Sequence, residues 1–307
     1  MTKKSIRIGT RMSPLAMYQA EITKALIKHH HPEIEVEIHG IKTTGDTVLN
    51  KRLSDIGGKG LFTKELDRAL DERQCDIAVH SLKDVETILP AGMELIGYLP
   101  RARVEDVVIS RDNIPLWDLP KGAVVGTVSL RRQAQVLHHR PDLQIKMIRG
   151  NVGTRLEKMR QGKYDAIILA YAGVERLGLT DIITEILDPL DFYPAVGQGI
   201  IVVQACTSQP WLREIVSPFN CLMTEIKATC ERGILLGVDG TCKTPVGVHT
   251  VIDRYGITMR AFLSTMDGVH TTHLVKSVPI EEGEETAVKM GKELRTIMEQ
   301  HDGIWEH

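Results

Sequence analysis

The chain has 307 residues, of which 42% are hydrophobic, 25% charged and only 4% aromatic, and its formal net charge is −2 at pH 7. This composition is typical of a soluble globular protein and excludes a disordered or fibrous chain. The near-neutral balance argues against a general nucleic-acid-binding protein, and the length corresponds to two or three domains. No apolar run is long enough for a signal peptide or a membrane span, so we expect a cytoplasmic enzyme.

The first part of the chain alternates short apolar segments with helical ones. The periodicity predicts a strand at 6–9, a helix across 15–26 and an alternating strand at 34–38. A helix at 62–70 and a buried strand at 76–80 follow. This alternation indicates a mostly parallel sheet that is covered on both faces.

A second set of strands begins near residue 106. The pattern predicts strands at 106–109, 123–126, 145–148 and 165–169, with helices after the second and third of them. A further strand-like segment at 199–203 comes after a connector. We therefore expect the chain to return to its first domain at that point.

The last part of the chain has a different pattern. A helical stretch at 224–236 precedes three strands joined by turns, at 246–251, 256–263 and 272–278, and a final helix covers 284–298. Neighbouring strands joined by short turns pair antiparallel. This part predicts a small α+β domain with an antiparallel sheet.

The charge is unevenly distributed, with six basic and one acidic residue in 126–155 but three basic and eight acidic residues in 281–307. Basic and hydroxyl side chains also follow four of the predicted strands. These four segments are 10–13, 80–84, 127–132 and 149–155. The carboxyl ends of strands face the ligand crevice in open α/β sheets, and helix N-termini attract anions. Two segments belong to each of the first two domains, so we expect a polyanion held in the cleft between them.

The five cysteines are scattered and form no C-x-x-C pair, which indicates neither a disulfide framework nor a zinc site. An isolated cysteine is most often a small buried hydrophobe, and four of the five fit that interpretation. These four are Cys75, Cys206, Cys221 and Cys230. Cys242 differs, because it lies in a glycine-containing turn before Pro245. The histidines at 29–31 point in different directions from a helix end, so we predict no metal site.

Six longer motifs occur in order along the chain. They are RMSPLA at 11–16, GGKGLF at 57–62, DIAVHSLKDV at 76–85, SLRRQ at 129–133, RGNVGTR at 149–155 and PAVGQG at 194–199. Together they resemble the porphobilinogen deaminase, or hydroxymethylbilane synthase, family. The resemblance runs in register from about residue 6 to 242 and continues more weakly after it.

The resemblance implies an α/β fold of three domains. The first two, 1–100 plus 199–218 and 101–198, are expected to be like type II periplasmic binding proteins, with doubly wound, mostly parallel sheets. The third, 219–307, is expected to be a small α+β domain with an antiparallel sheet. The implied protein is a monomer that binds neither nucleic acid nor membrane.

The resemblance also implies the activity. Such an enzyme joins four porphobilinogen molecules head to tail, releases ammonia and gives hydroxymethylbilane. One covalent dipyrromethane cofactor per chain, attached to a cysteine, primes the growing product. Cys242 matches that attachment position. Because every pyrrole carries an acetate and a propionate, cofactor and product together form a polyanion.

Individual roles follow by positional match to the family. Asp84 matches the catalytic aspartate, whose carboxylate stabilises the positive charge that develops on the pyrrole as ammonia leaves. The alternative for Asp84 alone is a helix cap after a strand. The remaining matches are Lys83, Ser129, Arg131, Arg132 and Arg155 for cofactor carboxylates, Arg11, Ser13, Gln19, Arg149 and Arg176 for substrate, Lys59 and Phe62 for a lid, and Gln198 for a hinge.

The sequence departs from the family pattern in a few places. Thr241 replaces the glycine that usually precedes the cofactor cysteine, and if that position needs a positive φ it would strain the turn by roughly 1–2 kcal/mol. Val128 replaces a common serine, and Glu86 replaces a usual proline. Two other hypotheses stay open: a cytoplasmic two-lobed anion-binding protein without catalysis, and an RNA-binding patch at 126–155.

Overall fold

A computed structural model of the chain describes residues 5–47, 60, 62–241 and 244–300. The chain divides into two compact units: unit 1 comprises Met1–Ala102 and Gly199–Glu225, and unit 2 comprises Arg103–Gln198 and Ile226–His307. Unit 1 contains one five-stranded sheet, and unit 2 contains another together with a three-stranded sheet. No helix within the described residues is long and apolar enough to cross a membrane.

The elements of the described residues follow in chain order. The strands are β1 Ser5–Arg11, β2 Glu35–Ile41, β3 Ile77–Ser81, β4 Met93–Tyr98, β5 Asp106–Ser110, β6 Val124–Gly126, β7 Gln144–Lys146, β8 Ala166–Ala170, β9 Glu185–Ile186, β10 Ile201–Cys206, β11 Val246–Asp253, β12 Gly256–Ser264 and β13 Thr271–Val278. The α-helices are α1 Pro14–His30, α2 Thr44–Thr47, α3 Lys64–Asp71, α4 Leu130–His139, α5 Val152–Arg160, α6 Tyr171–Arg176, α7 Trp211–Val216, α8 Leu222–Gly237 and α9 Gly283–Glu299.

The sheet of unit 1 has the strand order β2-β1-β3-β10-β4. Strand β1 is parallel to β2 and β3, whereas β10 is antiparallel to β3 and β4. Four strands therefore run in one direction, which confirms the mostly parallel sheet that the sequence predicts. The sheet packs on α1 through fully buried apolar side chains such as Ile8, Ile27 and Val203. Helix α1 begins where the Ser13 side chain accepts the backbone N–H of Ala16 and Pro14 occupies the first turn.

The larger sheet of unit 2 has the order β7-β6-β8-β5-β9. Strand β6 is parallel to β7 and β8, and β5 is antiparallel to β8 and β9, so four strands again share a direction. Helices α4 and α5 begin directly after β6 and β7, and each has a side-chain cap, Ser129 for α4 and Asn151 for α5. The capping residues place the N-termini of both helices at the same edge of the sheet.

The small sheet of unit 2 is antiparallel, with the order β11-β12-β13, and α8 and α9 pack on it. Cys230, Met259 and Leu294 lie in the shared core. Glycine lets the two helices approach closely, because a Cβ atom on Gly291 would lie 2.2 Å from the carbonyl oxygen of Ile234. These elements confirm the predicted α+β arrangement with an antiparallel sheet.

Strand β4 and helix α7 are absent from the sequence predictions. Strand β4 lies at the edge of the unit 1 sheet and pairs only with β10, which comes from more than a hundred residues later in the chain. The first half of β4 is only partly buried, so its side chains lack the continuous apolar run of a central strand. Strand β7 is also shorter than the predicted 145–148 segment, because it ends at Lys146.

Candidate active site

Unit 1 brings together two charged side chains that follow neighbouring strands. Arg11 is the last residue of β1, and Asp84 ends the 3₁₀ turn Leu82–Asp84 that follows β3. Arg11 Nη1 lies 3.9 Å from Asp84 Oδ2, and the Arg11 guanidinium lies 4.2 Å from the centroid of the Phe62 ring. The Asp84 side chain is 36% exposed. The carboxylate is therefore loosely paired and accessible to a ligand.

A pocket of about 50 Å³ surrounds this pair. Its lining includes Arg11, Ser13, Gln19, Phe62, His80, Ser81 and Asp84. Gln19 is buried and donates its Nε2–H to Ser81 Oγ at 2.8 Å, while the Ser13 hydroxyl caps α1. Lys83 lies beside Asp84 in the 3₁₀ turn and is partly buried. Asp84 and Phe62 thus line one pocket together with three of the predicted substrate residues, Arg11, Ser13 and Gln19.

The sequence assigns no role of their own to His80 and Ser81, although both lie in the DIAVHSLKDV motif. His80 is 5% exposed at the end of β3 and lines the pocket together with Ser81. Burial lowers the pKa of His80 to about 4, and the positive charge of Arg11 acts in the same direction. The only sequence signal for these two residues is their position at the carboxyl end of a buried strand.

Unit 2 contains a buried ion-pair cluster around Asp106, the first residue of β5. Arg131 Nη2 and Arg132 Nη2 each lie 2.7 Å from an oxygen of the Asp106 carboxylate. Gln198 donates its Nε2–H to Asp106 Oδ1 at 2.9 Å and to the carbonyl oxygen of Val104 at 2.7 Å. Both guanidiniums are thus engaged by protein acceptors through their Nη atoms.

The electrostatics of the cluster follow from complete burial. Burial opposes ionisation of Asp106, but the charges of Arg131 and Arg132 outweigh it and hold the pKa of the carboxyl well below its usual range. Arg131 is 4% exposed, and burial lowers its pKa. Arg131 also donates to the carbonyl oxygen of Tyr193, and Arg132 donates to that of Ile168 at 2.9 Å. The sequence missed Asp106, which is the first residue of a buried strand and follows another acid, Glu105.

The other predicted cofactor and substrate residues of unit 2 lie at helix ends. Ser129 caps α4 and accepts the backbone N–H of Arg132 at 3.4 Å. Arg149 is 6% exposed, and burial lowers its pKa. Arg155 in the first turn of α5 donates its Nε–H to the carbonyl oxygen of Gly150 at 2.8 Å, so both arginines flank that glycine. Arg176 lies elsewhere, at the end of α6, and is partly exposed.

Two predicted residues, Lys59 and Cys242, lie outside the described residues. Beside Cys242, the Thr241 N–H donates to Thr244 Oγ1 and the Thr244 N–H donates to the Thr241 carbonyl oxygen, both at 3.0 Å. Among the described non-glycine residues, a positive φ occurs at Asp239 in this segment and not at Thr241. The condition for strain at Thr241 is therefore not met.

Three of the other cysteines are buried, as the sequence predicts: Cys75, Cys206 and Cys230. Burial raises the pKa of Cys75 to about 12 and that of Cys230 to about 11, so neither thiol ionises readily. Cys221 is only partly buried, so its prediction as a buried hydrophobe is wrong. It lies in the exposed segment that leads into α8.

Comparison with known proteins decides the family. The model of the porphobilinogen deaminase dipyrromethane cofactor-binding domain matches residues 6–214, and that of the C-terminal domain matches residues 225–300. The chain belongs to the porphobilinogen deaminase family. It is therefore an enzyme of tetrapyrrole biosynthesis that releases ammonia from porphobilinogen and yields hydroxymethylbilane with a dipyrromethane cofactor.

Individual relatives agree with the family model. The porphobilinogen deaminase of Chlorobium chlorochromatii (strain CaD3) is 42% identical over 299 residues, which cover 95% of this chain and 95% of that protein. The porphobilinogen deaminase of Chlorobium phaeovibrioides (strain DSM 265 / 1930) is 43% identical over 266 residues, which cover 87% and 85%. Among solved structures, the chain is similar to the periplasmic aliphatic sulphonate binding protein SsuA from Escherichia coli, with 13% identity, a TM-score of 0.45 and coverage of 96% and 89%.

The residues of unit 2 fit a cofactor that carries carboxylates. The Nε atoms of Arg131 and Arg132 are buried and have no hydrogen-bond partner among the described residues. Such donors favour an anionic acceptor, since a buried unsatisfied N–H is costly. Ser129 and Arg155 lie in the first turns of α4 and α5, where the helix dipoles also favour negative charge.

Proposed function

We propose that ammonia leaves porphobilinogen at the Arg11–Asp84 pocket of unit 1, with Asp84 as the catalytic carboxylate. The observation that supports this proposal is the loose, 36% exposed Asp84 carboxylate 3.9 Å from Arg11 in a pocket at the carboxyl ends of β1 and β3. When the carbon–nitrogen bond of the protonated aminomethyl group breaks, ammonia departs with the bonding electrons and the pyrrole ring gains the positive charge. The fixed Asp84 carboxylate stabilises that charge, which raises kcat.

The other residues of this pocket bind and orient the substrate. Arg11 supplies a guanidinium for a substrate carboxylate, and Gln19 and Ser13 add polar groups at the same pocket. Phe62 covers one face of the Arg11 guanidinium and, with Lys59, is proposed as part of a lid. Arg149 and Arg176 of unit 2 are proposed to bind carboxylates of the substrate and the growing chain.

The cofactor is proposed to be attached to Cys242 and held by Lys83, Ser129, Arg131, Arg132 and Arg155. When bound, the dipyrromethane supplies the pyrrole carbon from which the product grows. Ser129 and the two orphaned guanidinium Nε donors hold carboxylate oxygens, and Asp106 keeps the guanidiniums of Arg131 and Arg132 oriented. An orientation that exists before binding costs no reorganisation when the carboxylates arrive.

The domain organisation is proposed to follow the three sheets, with domains 1–100 plus 199–218, 101–198 and 219–307. Gln198 is the last residue before the chain re-enters unit 1, and it bonds to Val104 and Asp106, which follow the first crossing at Arg103. One side chain thus ties both crossings together, which supports a hinge role. We propose that the enzyme acts as a cytoplasmic monomer without nucleic acid.

The site assignments are tested with purified protein and porphobilinogen. The enzyme should release ammonia and give a product that oxidises to uroporphyrin, and its intact mass should exceed the chain mass by one dipyrromethane. The increment should be lost in Cys242→Ser but kept in the matched control Cys221→Ser. An anion-binding protein without catalysis would instead show an unmodified chain and no ammonia. An increment that persists in Cys242→Ser would contradict the attachment site.

A further inference from the structure

His80 is a buried polar residue that has no role in the mechanism above. It is 5% exposed, lies at the end of β3 and lines the same pocket as Asp84 and Arg11. A buried histidine that faces a reaction pocket is either a structural filler or a group with a defined protonation state. Its neighbours on the sheet distinguish the two cases.

The neighbour of His80 on the adjoining strand is Gln204. In the antiparallel pairing of β3 and β10, His80 is opposite Val202 and Ala78 is opposite Gln204, so His80 and Gln204 are diagonal neighbours on one face. Gln204 Nε2 donates to Asp67 Oδ1 at 2.8 Å, and this bond determines the orientation of the amide. The carbonyl oxygen Oε1 of Gln204 must therefore point away from Asp67.

Two buried polar atoms then need a hydrogen-bond partner, and each can supply it to the other. Gln204 Oε1 and His80 Nε2 are both buried, and neither has a conventional hydrogen-bond partner among the described residues. An acceptor and a ring nitrogen in this position are satisfied together only if Nε2 carries the proton and donates toward Oε1. The interaction with Gln204 also favours the protonated ring in the pKa balance, as expected for an acceptor facing Nε2. His80 is therefore held in the Nε2–H tautomer.

The charge state of the ring follows from its surroundings. Burial lowers the pKa of His80 to about 4, Gln204 opposes this effect and Arg11 adds to it. Asp67 is the acidic residue to which Gln204 donates, and burial raises the pKa of its carboxyl. Asp84 is the acid of the pocket itself. At neutral pH the imidazole is uncharged, and its remaining nitrogen, Nδ1, is a hydrogen-bond acceptor.

We propose that His80 contacts the substrate, with Nδ1 as a neutral acceptor for the pyrrole N–H of porphobilinogen, and that Gln204 and Asp67 are positioning residues that hold its tautomer. The proposal rests on the reaction taking place in the Arg11–Asp84 pocket. It divides the work between two groups: Asp84 responds to the charge that develops, whereas His80 binds an N–H that the substrate keeps throughout. Because the ring gains positive charge as ammonia leaves, the N–H becomes a stronger donor, so the contact with Nδ1 strengthens in the transition state and contributes to kcat/KM.

The first test compares two substitutions of His80. His80→Phe keeps the ring shape but removes both nitrogens, whereas the amide oxygen of His80→Asn takes the place of Nδ1 as an acceptor. We expect kcat/KM for porphobilinogen to fall at least about 10-fold in His80→Phe and to stay near the wild-type value in His80→Asn. Intact mass confirms that each variant carries its cofactor.

The outcomes separate this proposal from the one on which it rests. An unchanged kcat/KM in His80→Phe would overturn the role of His80, as would equal losses in the Phe and Asn variants. An Asp84→Asn enzyme with normal kcat would instead overturn the placement of the reaction. In that case the kcat/KM of the His80 variants still reports whether His80 contacts substrate.

The second test does not need the enzyme to turn over. Nitrogen NMR of wild-type protein with ¹⁵N-labelled histidine identifies which ring nitrogen of His80 is protonated, and the His80→Asn spectrum assigns the resonance. We expect a protonated Nε2 and a bare Nδ1 at pH 7, with the ring uncharged down to about pH 4. A proton on Nδ1, or a charged ring at pH 7, would contradict the proposal.

Discussion

The protein uses the same pair of residue types in opposite ways in its two units. In unit 1, Arg11 and Asp84 lie 3.9 Å apart and are 21% and 36% exposed. In unit 2, Arg131 and Arg132 both lie 2.7 Å from Asp106, which is fully buried. The first carboxylate is accessible to a substrate, whereas the second is already ion-paired with two arginines. The comparison separates a carboxylate suited to chemistry from one that orients other groups.

The reason for the difference is the number of hydrogen bonds that each carboxylate receives within the fold. Asp106 receives guanidinium donors and the amide of Gln198, which together compensate for its removal from water. Asp84 retains contact with solvent, and among the described residues it has only the long contact to Arg11. A carboxylate that is already paired with two guanidiniums has little free energy left to give to a transition state.

The largest expected effect is on stability, in Asp106→Asn. The substitution leaves two buried guanidiniums without their counter-ion, so we expect the free energy of unfolding to fall by about 3–5 kcal/mol. Denaturant unfolding measures it. Asp142→Asn is the matched control, because it breaks an Arg–Asp contact of 2.7 Å at the surface, and it should change stability little. Equal losses in the two variants would remove the distinction between the clusters.

Asp84→Asn should affect turnover and not folding. Loss of the negative charge removes stabilisation of the developing cation, so we expect kcat to fall by about 10²- to 10³-fold. The thermal midpoint should stay near that of the wild type, since the side chain is partly exposed and loosely paired. Initial rates and thermal melts measure both. Asp112→Asn, at an exposed acid, is the control and should retain full activity. Near-normal turnover in Asp84→Asn would refute its catalytic role.

Acid should remove the stabilising contributions of His80 in unit 1 and Asp106 in unit 2 in different pH ranges. Folding holds His80 below its ordinary pKa of 6.5, at about 4, so the stability that it contributes is complete above pH 6.5 and is lost as the pH falls toward about 4. The loss amounts to about 3 kcal/mol. Asp106 also has a lowered pKa, so its contribution is lost only as the pH falls below about 4.

Unfolding free energies of wild type and His80→Asn across this pH range test the assignment. The substituted protein should lose less stability between pH 6.5 and 4, while its loss at lower pH remains. His139 and His273 of unit 2, whose pKa values burial also lowers, contribute equally to both proteins and cancel in the difference. Identical pH profiles would show that His80 titrates normally.

The smallest expected effect is that of salt. At about 1 M NaCl the Debye length is about 3 Å, so contacts of the exposed Arg11 with substrate carboxylates are screened. We expect KM to rise a few-fold, whereas the stability difference between wild type and Asp106→Asn should stay unchanged because that cluster excludes water. Steady-state kinetics and unfolding in the same buffers give both quantities. A salt-dependent Asp106 effect would mean that the cluster is open to solvent.

Much of the fold follows from local patterns in the sequence. The buried strand β8 is a continuous apolar run, and α1 has a capping serine followed by proline at its start. Strand β4 was not predicted, because its sequence lacks a continuous apolar run and it is defined by its pairing with β10. The strand-end positions of Arg11 and Asp84 also predicted that they lie near one sheet edge, whereas Phe62 followed only from the family resemblance.

The sequence by itself determined the family, the order of strands and helices and the candidate catalytic acid, because these depend on side chains that are close along the chain. Only the tertiary structure showed that Asp106 binds two arginines and that Gln204 faces His80. Asp106 and Arg132 are 26 residues apart, and His80 and Gln204 lie on different strands. No local periodicity encodes such contacts, because they form only when the sheets assemble and exclude water from the polar groups.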